Sequence, residues 1–232
     1  MVSLTGLDRR HRRRLTEADA VAVIGLGRFG TAVALELMES GTEVLGIDAS
    51  EDIVQNLNGR LTTVVRADST REEALQQLGV DEFDRVVVAI GSDIQSSILT
   101  CSILRAFDIP SIWAKAVGES HARILDQLGV NHVVQPEKEM GSRVAHLVRG
   151  VMLDYIELDK DYALVKTAPS EDLIGKTLAE CRLPQRYGVS VTSIQGADGR
   201  WRSVDDDTVL HEGDTILVAG PIRQAERFSL MG

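Results

Sequence analysis

Short apolar runs alternate with amphipathic stretches from Ala18 to about Gln135. Several of these runs are nearly continuous in Val, Ile and Ala, which is the composition of strands buried on both faces of a parallel sheet. The runs lie at Ala20–Ile24, Glu43–Ile47, Thr62–Arg66, Arg85–Ile90, Ser111–Ala116 and His132–Gln135. Strands separated by helical stretches predict a Rossmann-like, doubly wound α/β domain with a parallel sheet.

The stretches between the strands carry helix signals. After Asp93, apolar side chains recur at intervals of three and four residues, which is the period of a helix face. Thr70, with Glu73 three residues later, predicts a capping box at the start of another helix. Leu128-Gly129 predicts a helix end.

The pattern changes after Glu137. One amphipathic helix is predicted at 137–151, and an α+β module follows it. This module has strands at 153–158, 162–167, 189–194 and 214–219, a helix at 172–182 and a hairpin turn at 196–199. We therefore divide the chain into a basic arm (1–17), a Rossmann-like nucleotide-binding domain (18–136), a linking helix (137–152) and a small α+β domain (153–232).

Composition narrows the class of protein. The chain has 232 residues, of which 44% are hydrophobic and 26% charged, as is usual in soluble globular proteins. No apolar run approaches the roughly 18–20 residues of a membrane helix, so we expect any role at a membrane to depend on a partner. The net charge of −10 argues against a nucleic-acid partner. Cys101 and Cys181 match no metal or redox spacing, which favours a reducing cytoplasm.

The basic arm is the exception to this acidic balance, with five arginines among positions 9–14. We expect a disordered, solvated segment. A contact with anionic lipid headgroups or with an acidic partner surface is the alternative.

The strongest motif is Gly25-Leu26-Gly27-Arg28-Phe29-Gly30. This G-x-G-x-x-G run follows a predicted strand and opens a helical pattern, and the next strand reaches Asp48, 23 residues after Gly25. Together these features form the dinucleotide-binding fingerprint in its expected context. Gly25 permits a tight turn, Gly27 lets a phosphate approach the backbone, and Gly30 lets the helix pack on the strand.

Charged residues around this motif indicate the ligand. The carboxylate of Asp48 is expected to accept hydrogen bonds from ribose hydroxyls and to repel a 2′-phosphate, which disfavours NADP. Arg28 stands at the start of the helix, where its guanidinium suits a terminal phosphate of ATP or ADP as well as a pyrophosphate.

Other strand ends face the same predicted crevice, because ligands of open α/β sheets bind beyond the carboxyl ends of the strands. Asp68-Ser69 follows the third strand and is a candidate contact for adenine. Ala89-Ile90-Gly91 closes the fourth strand and leaves room for the sugar and base. Lys115, at the end of the fifth strand, is a further candidate.

Five segments carry a family resemblance: 23–30, 87–91, 135–141, 186–189 and 212–219. They read VIGLGRFG, VVAIG, QPEKEMG, RYGV and EGDTILVA. With them the chain resembles the RCK (KTN) regulators of potassium transport, most nearly the cytosolic subunits of Ktr-type uptake systems and more loosely the Trk-type subunits. The resemblance runs from about Val21 to the C-terminus and implies an RCK_N domain followed by an RCK_C domain.

The resemblance implies a regulatory subunit and no catalysed reaction. Family members form homodimers that assemble into an octameric ring beneath a membrane potassium-translocating subunit. The protein is therefore expected in the cytoplasm, peripheral to the inner face of the cell membrane. ATP and ADP compete for the Rossmann crevice, and ATP favours the active transporter.

Site roles follow from the same resemblance. Arg28 is expected to contact the terminal phosphates, Asp48 the ribose, and Asp68 with Ser69 the adenine. Glu137 is expected to reach the ATP of a neighbouring protomer and to help hold a cation there, Mg²⁺, Ca²⁺ or Na⁺. Some relatives bind cyclic di-AMP at the C-terminal domain, and no residue here is assigned to that site.

Two alternatives remain at the level of sequence. A regulator of the same family that binds NAD(H) shares the glycine loop and Asp48. An NAD-dependent dehydrogenase shares them as well, but it needs an acid–base group beside the nicotinamide. We expect none of the five histidines to have a carboxylate partner in a catalytic setting, and we therefore predict that the protein is not an enzyme.

Overall fold

A computed structural model describes residues 20–149 and 152–231, apart from the side chain of residue 149. The basic arm at 1–17 lies outside the described residues. The chain divides into two compact units, Met1–Pro136 and Glu137–Gly232, which we describe separately.

The first unit is a six-stranded parallel sheet with the strand order β3-β2-β1-β4-β5-β6. Its strands are β1 (Ala20–Ile24), β2 (Glu43–Asp48), β3 (Thr63–Arg66), β4 (Arg85–Val88), β5 (Ser111–Lys115) and β6 (His132–Val134). These bounds confirm the predicted strands to within two residues at each end. The chain order reverses between β1 and β4, and this is the switch point where ligands bind in such folds.

Helices connect successive strands of this sheet. They are α1 (Arg28–Glu39), α2 (Glu51–Leu57), α3 (Glu72–Gln77), α4 (Ile94–Ala106) and α5 (Glu119–Gln127), with a 3₁₀ turn at Val80–Glu82. Every residue of β1 is buried, and its side chains alternate between two apolar clusters. One cluster contains Ala34 and Leu57, and the other contains Leu104 and Leu125. Burial on both faces explains why the strands read as continuous apolar runs.

The second unit begins within α6 (Pro136–Arg149) and contains a five-stranded antiparallel sheet of order β10-β9-β11-β8-β7. The strands are β7 (Asp154–Asp159), β8 (Tyr162–Thr167), β9 (Ser190–Gln195), β10 (Trp201–Ser203) and β11 (Thr215–Pro221). Its other helices are α7 (Leu178–Cys181), α8 (Leu183–Tyr187) and α9 (Ile222–Ser229). The sequence pattern missed β10, α8 and α9.

Side-chain contacts attach α6 to the rest of the second unit. The Arg143 guanidinium lies 2.6 Å from Asp154 Oδ1, and this pair holds the pKa of the Asp154 carboxyl below its usual range. One turn further on, His146 Nδ1 lies 2.5 Å from Glu226 Oε1, and its ring stacks on Tyr155. The C-terminal half of α6 is thus part of the second unit.

Two local predictions were wrong. The helix predicted at 172–182 is broken, because Gly175 has φ +80° and Arg182 has φ +47°, both outside the helical region. The capping box predicted at Thr70 does not form. The Thr70 hydroxyl donates instead to Asp68, and α3 begins at Glu72 without a side-chain cap.

Other helix signals were confirmed. The helix predicted after Asp93 forms as α4, and the structure adds that the Asp93 side chain caps it by accepting the Ser96 N–H at 3.1 Å. Gly129, with φ +79°, follows the last turn of α5 as predicted. Throughout residues 20–149 and 152–231, no helix is both long enough and apolar enough to cross a bilayer.

Candidate nucleotide-binding site

The turn between β1 and α1 requires glycine at its first position. Gly25 has φ +90°, and its N–H donates to the Ile47 carbonyl at 2.8 Å. A Cβ built on Gly25 would lie 2.9 Å from the Ile90 backbone nitrogen. The turn therefore packs directly against the end of β4, where no side chain fits.

Gly30 and Gly27 differ in their surroundings. A Cβ on Gly30 would lie 1.9 Å from the Gly25 carbonyl oxygen, so the first turn of α1 packs against the preceding loop. Gly27 is exposed, and nothing lies within 4 Å of the position of its Cβ. The space above Gly27 is open to an approaching group.

The start of α1 presents backbone donors to this open space. The Thr31 N–H donates to the Gly27 carbonyl at 2.9 Å, and the Thr31 hydroxyl donates to the Leu26 carbonyl at 2.7 Å. The N–H groups of the first turn, which precede that bond, have no acceptor within the helix. Together with the partial positive charge of the helix N-terminus, they form an anion-binding surface.

Asp48 is fixed beside this loop at the carboxyl end of β2. Its Oδ2 accepts the Leu26 N–H at 2.6 Å, and its Oδ1 accepts the Ser50 N–H at 2.8 Å. Each carboxylate oxygen has a further lone pair, so both can also accept from hydroxyl groups of a ligand. The geometry is suited to a ribose diol next to the glycine loop.

The structure separates the neighbouring residues Asp68 and Ser69. Asp68 is exposed, and the Thr70 hydroxyl and N–H both donate to its Oδ1, at 2.6 and 3.0 Å. These hydrogen bonds lower the pKa of Asp68, so it is present as a carboxylate. Ser69 is buried, and its hydroxyl lies 2.9 Å from Thr100 Oγ1. Of the two, Asp68 is the residue exposed at the surface.

Residues from β4 and β5 meet at the same edge of the sheet. The Ala89 N–H donates to the Ile24 carbonyl at 2.7 Å, which joins the end of β4 to the glycine turn. Lys115 Nζ would lie 3.2 Å from a Cβ on Gly91, and it is 5.7 Å from the centre of the Phe29 ring.

Arg28 and Glu137 complete the predicted residues. Arg28 is exposed in the first turn of α1, directly after Gly27. Glu137 is exposed in the first turn of α6 and belongs to the second compact unit. The described residues contain no group of three or more His, Cys, Asp or Glu side chains arranged to hold a metal. A cation at Glu137 would therefore need ligands from elsewhere, such as phosphate oxygens.

Sequence reasoning missed three residues of this region. Thr31 ties α1 to the loop, Thr100 holds Ser69, and His121 accepts the Val117 N–H at the end of β5 through its Nδ1, at 3.4 Å. Thr31 directly follows the glycine motif, which is the one signal in the sequence that could have found it. Thr100 contacts a residue that is 31 positions away in the sequence, so no local spacing predicts the contact. His121 contacts Val117, four positions away, but no sequence motif marks this pair.

Family models match both units. The TrkA-N domain model matches residues 21–136, and the TrkA-C domain model matches residues 162–230. The first match spans β1 to the start of α6 and includes the whole glycine loop.

Individual proteins show the same relationship. Ktr system potassium uptake protein C of Bacillus subtilis is 38% identical over 208 residues, which cover 89% of this chain and 94% of that protein. Ktr system potassium uptake protein A of Vibrio alginolyticus is 37% identical over 201 residues, covering 86% and 91%. The solved structure of the GsuK channel bound to NAD superposes with a TM-score of 0.64 over 93% of this chain and 40% of that chain, at 19% identity, and supports the fold. The chain belongs to the TrkA-domain family of RCK proteins, which includes the Ktr system potassium uptake proteins.

Proposed function

We propose that this protein is a regulatory subunit of a potassium uptake system and that it binds an adenine nucleotide in the crevice between β1 and β4. The observation that carries the proposal is the pairing of Asp48 with the glycine loop, next to the open space over Gly27. The kinship with Ktr system proteins over nearly the full length of both chains supports the physiological role. The family resemblance adds a location in the cytoplasm, at the inner face of the membrane, through a potassium-translocating subunit.

The regulatory signal is the number of phosphates on the nucleotide. Arg28 and Lys115 bring two positive charges to the start of α1, where terminal phosphates are expected to lie. A ligand shifts a conformational equilibrium only through its difference in affinity for the two states. The third phosphate of ATP supplies such a difference from ADP.

Assembly of protomers would bring the negative charges of bound nucleotides close together. In the proposed homodimers and octameric ring, triphosphates on neighbouring protomers repel one another. The Glu137 carboxylate reaches the ATP of a neighbouring protomer in this proposal, and it holds a cation (Mg²⁺, Ca²⁺ or Na⁺) on the phosphates. Binding of cyclic di-AMP by the second unit is a separate proposal that rests on the family resemblance alone. Calorimetry of the full chain with cyclic di-AMP tests it.

NAD(H) is the second candidate ligand. The superposed GsuK channel is bound to NAD, which favours this candidate. Against it, the charges of Arg28 and Lys115 suit terminal phosphates and serve no purpose beside a nicotinamide.

A dehydrogenase is disfavoured by the histidines. His121 is buried and His132 stacks on Trp113. Two histidines do lie close to a carboxylate: His146 Nδ1 is 2.5 Å from Glu226 Oε1, and His211 Nδ1 is 3.7 Å from Asp214 Oδ2. Both pairs belong to the second unit and not to the unit that contains the glycine loop. We therefore propose that the protein does not catalyse a reaction.

Thermal unfolding with ATP, ADP, NAD⁺ and NADH tests the proposed function. ATP and ADP are expected to raise the melting temperature most, because binding to the native state stabilises it by mass action. Arg28→Ala is expected to abolish the difference between ATP and ADP. Arg60→Ala is the matched control, since Arg60 is exposed before β3, at the opposite end of the strands. Equal stabilisation by ATP and ADP in the unmodified protein would contradict phosphate sensing.

A further inference from the structure

The charges beside Asp48 determine whether a bound nucleotide can carry a phosphate on its ribose. In a doubly wound fold, a carboxylate at the end of β2 favours a free 2′-hydroxyl, whereas an arginine nearby accommodates a 2′-phosphate. This chain has both, because Arg66 ends β3 and is the partner of Asp48 in the register of the two strands. Neighbouring strands lie about 4.8 Å apart. The carboxylate of Asp48 therefore does not decide by itself which nucleotides bind.

Arg66 bonds to the loop that follows Asp48. Its Nε donates to the Ala49 carbonyl at 3.1 Å, and its Nη1 donates to Glu51 Oε2 at 3.2 Å. The same loop fixes the ribose carboxylate, since the Ser50 N–H donates to Asp48 Oδ1 at 2.8 Å. The guanidinium thus lies beside the residue that follows the carboxylate, close to where the 2′-oxygen of a ribose is expected.

Glu51 opposes the charge of this guanidinium. Gln55 and Arg66 both donate to the Glu51 carboxylate, and these bonds hold its pKa below the usual range, so Glu51 is charged at neutral pH. The side chains of Arg66 and Glu51 are 60% and 52% exposed, so a ligand can reach both. A guanidinium has five N–H donors, and the bonds to Ala49 and Glu51 use two of them. What opposes a phosphate here is the negative charge of Glu51, next to the donors that would bind it.

We propose that Glu51 is a specificity-determining residue of the crevice, which pairs with Arg66 and thereby restricts binding to nucleotides with a free 2′-hydroxyl, such as ADP and ATP. The inference rests on the proposed function and adds a second determinant to Asp48. Without Glu51, Arg66 is a cation beside the 2′-oxygen, with a planar set of donors suited to phosphate. The exclusion of 2′-phosphorylated nucleotides therefore depends on the pairing of Glu51 with Arg66 as well as on Asp48.

A general effect of charge has to be separated from this specific one. Glu51 lies in the first turn of α2 together with Asp52, where acidic side chains stabilise the start of a helix. Removing either carboxylate makes the surface less negative and so favours any anion. Asp52→Asn is therefore the matched control, because Asp52 is exposed in the same turn and its removal leaves Arg66 paired with Glu51.

The test compares ADP with 2′-phospho-ADP, which differs from it by one phosphate. Isothermal titration calorimetry of the full chain measures both affinities, at low ionic strength because salt screens exposed charges. The unmodified protein is expected to favour ADP at least about tenfold. Glu51→Gln is expected to lower this ratio about tenfold by raising the affinity for 2′-phospho-ADP. Asp52→Asn is expected to leave the ratio unchanged.

Arg66 supplies the decisive comparison. If Glu51 acts through Arg66, its removal has no effect once the arginine is gone. Glu51→Gln in an Arg66→Met background is therefore expected to leave the ratio unchanged, which is the non-additivity that a double-mutant cycle measures. Circular dichroism establishes that each variant is folded.

Two kinds of result would overturn the inference while ADP binding, and with it the proposed function, stands. One is an unmodified protein that binds both nucleotides equally, or a Glu51→Gln protein with an unchanged ratio. The other is a ratio that falls as much in Asp52→Asn, or as much in the Arg66→Met background, because the effect would then be a general change of charge. If the unmodified protein binds neither nucleotide, the proposed function itself fails and the inference fails with it.

Discussion

Gly27 and Gly30 stand three residues apart in the same turn, and a methyl group added at each is expected to have a different consequence. At Gly30 the new Cβ would lie 1.9 Å from the Gly25 carbonyl oxygen and 3.0 Å from Ala89 Cβ. Non-bonded heavy atoms are in favourable contact at about 3.5–4.0 Å, so atoms must move by more than about 1 Å. The Gly25 carbonyl cannot yield easily, because the Gly25 N–H is bonded to Ile47 and its φ is +90°.

The expected cost at Gly30 follows from two opposing effects. Overpacking costs about 1–3 kcal/mol, and alanine in a helix regains about 0.8–1.0 kcal/mol over glycine. Because the clash is with backbone, we expect the upper end of the range, a net loss of about 2 kcal/mol. For a chain of this size, that lowers the melting temperature by roughly 4–8 °C.

Gly27→Ala has neither a clash nor strain. Its φ is −65°, and nothing lies within 4 Å of the new Cβ, so stability is expected to stay within about 0.5 kcal/mol of the unmodified protein. The methyl group would stand where a phosphate must approach the N–H groups of α1. ADP binding is therefore expected to weaken at least about tenfold.

Thermal unfolding and ADP calorimetry on both variants test this pair of expectations. Gly41→Ala is a useful third variant, since Gly41 has φ +85° but open space around it, and it isolates backbone strain from a clash. A Gly30→Ala protein that melts with the unmodified one would refute the packing argument. A Gly27→Ala protein with undiminished ADP affinity would refute the assignment of the phosphate site.

Two further predictions concern single side chains. Burial lowers the pKa of His121, because desolvation disfavours the charged imidazolium. The contribution of His121 to the free energy of unfolding is therefore complete above the usual imidazole pKa of about 6.5, and it is lost as the pH falls below that value. Urea unfolding should show the unmodified protein losing more stability than His121→Asn between about pH 7.5 and pH 5.5, and parallel pH profiles would contradict this. Thr177 forms a capping box with Glu180 at the start of α7, so Thr177→Ala is expected to cost about 1 kcal/mol in urea unfolding, whereas Thr70→Ala removes no helix cap.

Local spacing in the sequence determined the order and type of most elements. Strands buried on both faces leave continuous Val, Ile and Ala runs, and a glycine motif followed by a helix pattern needs no distant contact to be recognised. For this reason the six strands of the first unit, the helix after Asp93 and the stop at Gly129 were all predicted from a few neighbouring residues. β10 was missed because its three residues are all exposed and leave no apolar run. α9 was also missed, although its buried residues Ala225 and Phe228 have helical spacing.

Tertiary structure decided where the side chains of the candidate site point. Ser69 bonds to Thr100, which is 31 residues away in sequence, and therefore lies in the interior. Lys115 reaches Phe29 because the sheet order places the end of β5 near the start of α1. Such contacts depend on which strands are neighbours and on which face each side chain occupies. Spacing along the chain predicts which residues gather at one edge of the sheet, but the directions of their side chains are fixed only when distant segments pack together.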